Sequence, residues 1–241
     1  MKASRHVSAK AARYPVGRDE VQAFKRGGKR MTTEPACASE AAIAPGETSN
    51  CDLREAFRRR DTYRASLDTS LKEQEDLIAK KTRFTNASAA SKLRKIYALV
   101  DELGDAAKDF VACKNGCAAC CNMNVTISAI EAKQIQAMTG ARSIALSSSR
   151  THDPAEFSGQ PCPFLRDSRC SIYETRPFAC RKHVSFDTTS YWCQPERSHE
   201  IQLPMIRFDG AEEAFFEVTG RNNSGVFGDI RDFFPGPYIK S

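Results

Sequence analysis

From Asp52 to Ala112 the chain has no proline and a single glycine, Gly104, and its apolar residues return at helical intervals. Leu93, Ile96, Tyr97, Leu99, Val100, Leu103, Ala107, Phe110 and Val111 keep the i, i+3, i+4, i+7 spacing that lays one stripe of a helix against a core. Upstream, Leu67, Leu71, Leu77 and Ile78 are sparser, and Glu73, Glu75 and Asp76 stand among Lys72, Lys80 and Lys81. This predicts two helices, about 53–82 and 88–111. The break falls at Thr85-Asn86-Ala87-Ser88, where Asn86 or Ser88 can accept from the first free N–H groups as an N-cap. The two helices are expected to pack as a hairpin or on the region that follows, with no ligand role.

Downstream the pattern is more broken. Val125-Thr126-Ile127 reads as a short extended stretch, and Ser128 with Glu131 forms an S-x-x-E capping box that starts a helix over Ala129–Met138. Ile130, Ile135 and Met138 give that helix its buried stripe, and Gly140 ends it. Residues 141–160 read as a polar loop. The stretch 162–193 is rich in turn residues and poor in periodicity, as expected where metal bonds replace an apolar core. Residues 204–208 and 214–218 look strand-like. Phe233-Phe234-Pro235-Gly236-Pro237-Tyr238 is expected to lie on the core as an aromatic tail. There is no internal repeat.

Residues 1–50 hold almost no large apolar side chains, so they cannot offset the entropy of ordering and are expected to be disordered. Cys37 and Cys51, in or beside this segment, read as free thiols. The segment also explains the net charge: nine Lys or Arg in residues 1–30 stand against Asp19 and Glu20, a local +7 within a whole-chain +6. The remainder is thus near neutral, and the cationic tail reads as a solvated arm. With no apolar run of 18 residues and no apolar signal segment, neither a membrane span nor secretion is expected, which gives a cytoplasmic reading.

Ten cysteines sharpen the picture, because eight of them lie between Cys113 and Cys193. In a reducing compartment such a density points to metal thiolates rather than disulfides. Cys113-Lys-Asn-Gly-Cys117-Ala-Ala-Cys120-Cys121 places four thiols in nine residues, with Gly116 free to turn sharply. On a helical turn Cys117, Cys120 and Cys121 would share a face. A second set follows as Cys162-Pro-Phe-Leu, Cys170 and Cys180-Arg, with Phe164, Leu165, Ile172 and Tyr173 as apolar pegs between the thiols. Soft thiolates suit zinc, iron–sulfur clusters or copper(I). Four of them around a divalent ion leave a net negative charge, for which Lys114, Arg176, Arg181, Lys182 and the start of the helix at Ala129 are candidate compensators. Arg176 is expected to pair with Glu174 or with a thiolate. His183 and Cys193 have loose ligand spacing. Either they are a further ligand and the completion of a second site, or they are a surface histidine and a buried thiol. His6, His152 and His199 read as solvent-facing.

The three-part pattern Cys-x3-Cys-x2-Cys-Cys, Cys-Pro-Phe-Leu with Arg-Cys-Ser-Ile-Tyr-Glu, and Arg-Pro-Phe-Ala-Cys-Arg resembles the CxxCxxCC cysteine-cluster family, the YkgJ-like zinc- or iron-chelating domains. The resemblance covers about Cys113 to Cys193 and departs in the three-residue gap before Cys117. It implies that Cys113, Cys117, Cys120, Cys121, Cys162, Cys170 and Cys180 are metal ligands, and it implies no particular reaction. The resulting expectation is a mainly α protein with a small, irregular, cysteine-rich α+β metal-binding module. Residues 1–50 form its basic arm, 51–111 its helical region, and 112–241 its chelating domain with a C-terminal extension. Its function is binding of zinc or iron, and the alternative is an iron–sulfur redox protein or cluster-dependent enzyme. Whether it is an enzyme stays open: no acid–base pair stands out, and a hydrolase would want mixed His and carboxylate ligands around an open site. A nucleic-acid role ranks last, since the cysteine region offers no basic recognition helix.

Overall fold

The structure, a computed structural model, describes residues 45–114, 116–153, 155–220 and 225–236, with side chains from Asn50 onward. All of these fall in the unit Ser39–Ser241. The expectations for residues 1–44 of the basic arm, with Cys37 and His6, and for Pro237-Tyr238 lie outside the described residues, whereas 45–50, expected to be disordered, are helical.

The molecule is mainly α. Helices α1 (Pro45–Ser66), α2 (Thr69–Phe84) and α3 (Ala89–Ala106) come first. The expected break before residue 88 is present, and Ser88 caps α3 by accepting from the Ser91 N–H at 3.2 Å. The first expected helix is in fact two. Asp68 interrupts it, with its carboxylate accepting from the Ser70 N–H at 2.8 Å, so a new N-terminus forms where periodicity alone showed continuity. The first of them also starts earlier than expected, at Pro45. Cys51, read from the sequence as a free thiol, is disulfide-bonded; the reading rested on its place beside a segment expected to be disordered, whereas it lies in α1.

Strand β1 (Thr126–Ser128) leads into α4 (Ala129–Thr139), where the Ser128–Glu131 capping box forms and Gly140 closes the helix at φ 76°. A hairpin of β2 (Leu165–Arg166) and β3 (Arg169–Cys170) precedes the single-turn helix α5 (Phe178–Lys182). Helix α6 (Asp209–Thr219), strand β4 (Phe227–Asp229) and helix α7 (Ile230–Phe233) complete the order, with β4 antiparallel to β1. Residues 214–218 are therefore helical, which overturns the strand reading, and 204–208 form no strand. Ala211, Ala214 and Phe215 stand at i, i+3, i+4 and are all buried, so the aromatic content that resembled a strand is one face of a helix.

The main core gathers Leu93, Ile96, Leu99, Val100 and Leu103 of α3 against α6 and Ala79 of α2. Phe178 of α5 joins it by stacking on Phe215, with ring centres 4.3 Å apart. Helix α6 approaches α2 so closely that a Cβ on Gly210 would meet the Glu75 carbonyl oxygen at 2.0 Å. A second cluster joins Ile127, Ile135, Phe164, Ile172, Ile230 and Phe233 under the thiol-bearing loops, with Phe234 buried beside them. A third seats Ala56 and Tyr63 of α1 against Phe186. Among the described residues no helix is long and apolar enough to cross a membrane.

Candidate metal centre

Each thiol is delivered by a short, specifically closed piece of backbone. Gly116 adopts φ 94°, which lets the Cys117 N–H return to the Lys114 carbonyl at 2.9 Å. Cys120 and Cys121 sit on a 3-10 turn, Ala119–Asn122, and Cys117 lies before it, so the three do not share a regular helical face. The Cys162 N–H donates to the Cys121 carbonyl at 2.7 Å and brings the second cysteine group beside the first. Between Cys162 and Cys170 the chain reverses at Asp167 and Ser168, both left-handed (φ 45° and 58°), the twist a two-residue hairpin favours. Phe164 and Ile172 are buried pegs as expected, whereas Tyr173 is 41% exposed. Cys180 rides on α5, and Cys193 ends a 3-10 turn, Tyr191–Cys193. Trp192 anchors that turn by donating from Nε1 to Asp52 of α1 at 2.8 Å.

Helix α5 has an unusual start. Its N-cap is Pro177, which offers no side-chain acceptor. Glu131 of α4 supplies one, accepting from the Phe178 N–H at 2.8 Å. The same buried carboxylate accepts from the Ser128 N–H at 2.8 Å, the Ser128 hydroxyl at 3.0 Å and the Tyr97 hydroxyl at 2.8 Å, so one acid fixes Cys180 relative to α3 and α4. Burial pushes the Glu131 carboxyl up despite these donors. Glu75 plays the same part for α6, whose N-cap is Phe208: it accepts from the Ala211 N–H at 3.0 Å.

All eight cysteines from Cys113 to Cys193 are free thiols and half-buried. Their electrostatic neighbours fall into two triangles. Cys113, Cys117 and Cys193 lie within electrostatic reach of one another, and so do Cys162, Cys170 and Cys180. Cys120 reaches both triangles and is hydrogen-bonded to Cys121. The seven cysteines expected from the sequence are thus brought into one neighbourhood, and Cys193 joins them. Burial pushes the Cys113 thiol up to about 12 and Cys162 up to about 11, and raises Cys170, Cys180 and Cys193 as well. Cys120 rises first through its hydrogen bond with Cys121 and then through burial. Sulfurs held this way remain protonated until a cation takes the protons' place.

The donors fit a thiophilic ion by chemistry, as soft sulfurs gathered from four separate segments. They do not form a closed cage. Among the described residues, no three His, Cys, Asp or Glu side chains stand close enough to hold one ion.

Positive charge surrounds the thiols in part as expected. Arg176 pairs with Asp101 of α3 at 3.3 Å, not with Glu174, and stacks over the Tyr173 ring at 4.0 Å. Its charge favours the thiolates of Cys120 and Cys170. Arg181 also pairs with Asp101 and donates to the Glu174 carbonyl at 2.6 Å. Lys182 is engaged by Glu212 of α6 at 2.9 Å. Arg231, which no sequence spacing singled out, places its charge near Cys162. His183 is exposed and ends α5. His152 is not solvent-facing: its ring lies between Asp232 at 2.7 Å and Glu156 at 2.8 Å.

Residues 112–196 match the sequence model of the CxxCxxCC family, described as "Putative zinc- or iron-chelating domain". The match takes in every cysteine of both triangles. No curated protein and no solved structure matches the chain.

Proposed function

We propose that residues 112–196 are an irregular, cysteine-rich α+β module that chelates zinc, or iron in its place, through Cys113, Cys117, Cys120, Cys121, Cys162, Cys170 and Cys180. The observation that carries this reading is the convergence of free thiols from four segments upon Cys120, in a region whose match is to chelating domains. The ion's work is structural. Cross-linking four segments that carry only two-residue strands and a five-residue helix would supply the cohesion their small apolar surface does not. Arg176 and Arg231 soften the negative charge of the thiolates from outside.

The experiment is metal and acid-labile sulfide content, with an absorption spectrum, on protein purified without air. Zinc with no sulfide and no visible band is expected. Iron with matching sulfide and a broad band near ~400 nm would replace this reading by the iron–sulfur alternative, since such clusters are also held by four cysteines. Metal-free protein that takes up neither ion would sink both.

A further inference from the structure

The two cysteine groups meet along a short, irregular seam. The Cys162 N–H donates to the Cys121 carbonyl at 2.7 Å, and the Gly159 N–H to the Asn122 carbonyl at 2.8 Å, yet neither segment belongs to a sheet. An isolated pair of backbone bonds, with no ladder on either side, opens at little cost. The register of one group against the other therefore needs a further hold.

Arg231 of α7 supplies it. Its Nη1 donates to the Met123 carbonyl at 3.3 Å and its Nη2 to the Gln160 carbonyl. Met123 stands two residues after Cys121 and Gln160 two residues before Cys162, so one guanidinium spans both sides of the seam. A planar fork of donors can do this, whereas the ammonium of a lysine is a single point charge. The fork is itself held. Nη1 also donates to Asp229 Oδ1 at 2.9 Å, and the guanidinium lies over the Phe157 ring, 4.9 Å from its centre. Asp229 is 3% exposed and accepts from the Val125 N–H at 2.7 Å, while the Ile230 N–H returns to the Val125 carbonyl at 2.8 Å. These bonds fasten the start of α7 to the chain just beyond the first cysteine group. Residues 229–231 lie outside the family match, which ends at 196.

We propose that Arg231 is a positioning residue of the cysteine site: by bridging the Met123 and Gln160 carbonyls it fixes Cys162 against Cys121, and it makes α7 a working part of the module. The inference rests on the chelating function proposed above for what this placing serves. It goes beyond that reading, in which Arg231 acts by charge alone.

The test measures amide hydrogen exchange on the full chain, purified without air, for the unaltered protein, Arg231→Met and Arg231→Lys. In both variants the Gly159 and Cys162 amides should exchange about tenfold faster or more, as expected for loss of a hydrogen bond to a charged group. The α3 amides should keep their protection, and metal should pass to a strong chelator several-fold faster. Lysine keeps the charge and loses the fork, so Arg231→Lys behaving as the unaltered protein would overturn the bridge and leave the charge. Unchanged exchange in Arg231→Met would overturn it too, and so would faster exchange with unaltered metal retention. Far-UV circular dichroism identifies a variant that fails to fold; if Arg231→Met does so, the milder Arg231→Lys decides. Failure of the unaltered chain to take up zinc(II) or iron(II) would overturn the chelating function, and with it the purpose of the placing, while the exchange rates would still decide whether the bridge exists.

Discussion

Helix α3 and the stretch from Cys113 to Cys193 are neighbours held in place by different means. In α3 five apolar side chains, from Leu93 to Leu103, are 5% exposed or less and lie on one stripe, so burial at roughly 1.5–3 kcal/mol for each large side chain secures the helix against α6. In the cysteine stretch the eleven-residue α4 carries no thiol, the one α-helix that does has five residues, and the thiols themselves are half-buried. Above the small apolar cluster of Ile127, Phe164 and Ile172, the thiol-bearing pieces are tied by isolated polar contacts: Glu131 under α5, Asp101 between Arg176 and Arg181, and Asp52 on Trp192. A helix stripe averages over many weak contacts and tolerates the loss of one. A set of single ties does not, and it leaves a definite role for an ion that cross-links the thiols.

The widest separation between the two regions should come from removing metal with a strong chelator, since structural zinc is worth about 10 kcal/mol of folding free energy. Trp192, the chain's only tryptophan, lies in the turn that ends at Cys193 and reports on that region by its fluorescence. Its emission should shift to that of an exposed indole, while far-UV circular dichroism keeps the signal of α1 to α3. Simultaneous loss of both signals would show one cooperative unit and dissolve the comparison. Next in size is Ile96→Ala, at 0% exposure in the helical core: a loss of about 2–5 kcal/mol in urea unfolding with metal content unchanged. Glu131→Gln probes the junction. It keeps the shape but weakens an acceptor shared by the Ser128 and Phe178 N–H groups and the Tyr97 hydroxyl, at about 1–3 kcal/mol. Because Phe178 opens the helix that carries Cys180, metal retention against a chelator should fall too; unchanged retention would show that α5 is held in place without the Glu131 carboxylate.

The smallest effect concerns the loop of residues 141–160, which is bound to α7 through His152. The hydrogen bond to Asp232, and then that to Glu156, outweigh burial and raise the histidine above its ordinary value of 6.5. A raised histidine contributes fully below the unfolded value and loses its contribution as pH rises through the folded one. The difference in stability between the unaltered protein and His152→Ala should therefore be larger at pH 5.5 than at pH 8.5, and below about 1 kcal/mol since Glu156 is half exposed. A constant difference across that range would mean that the ring acts only by packing on Phe157.

Periodicity and capping carried much of the fold. The α3 stripe, its Ser88 cap, the Ser128–Glu131 box and Gly140 were all legible because they are local: donor, acceptor and spacing lie within one or two turns. The failures were also local in origin. Asp68 broke a helix that looked continuous, and Phe215 and Phe216 imitated a strand because their aromatic character outweighed a short helical period. At the site, the family resemblance implied the seven cysteines, and nothing near them in sequence pointed to Ser185 or Arg231 as their neighbours.

By itself, then, the sequence determined the helices at Leu93–Leu103 and Ala129–Thr139, which residues carry soft donors, and that those donors come in dense clusters. Those are properties of residue type and short spacing. Only the tertiary structure decided how the clusters meet: that Cys120 lies within electrostatic reach of both groups, and that Cys193 returns towards Cys113 across 80 residues. Such pairings depend on how α3, α4 and α5 are fixed to one another through Glu131 and Asp101, and long-range packing leaves no periodic trace in a single chain.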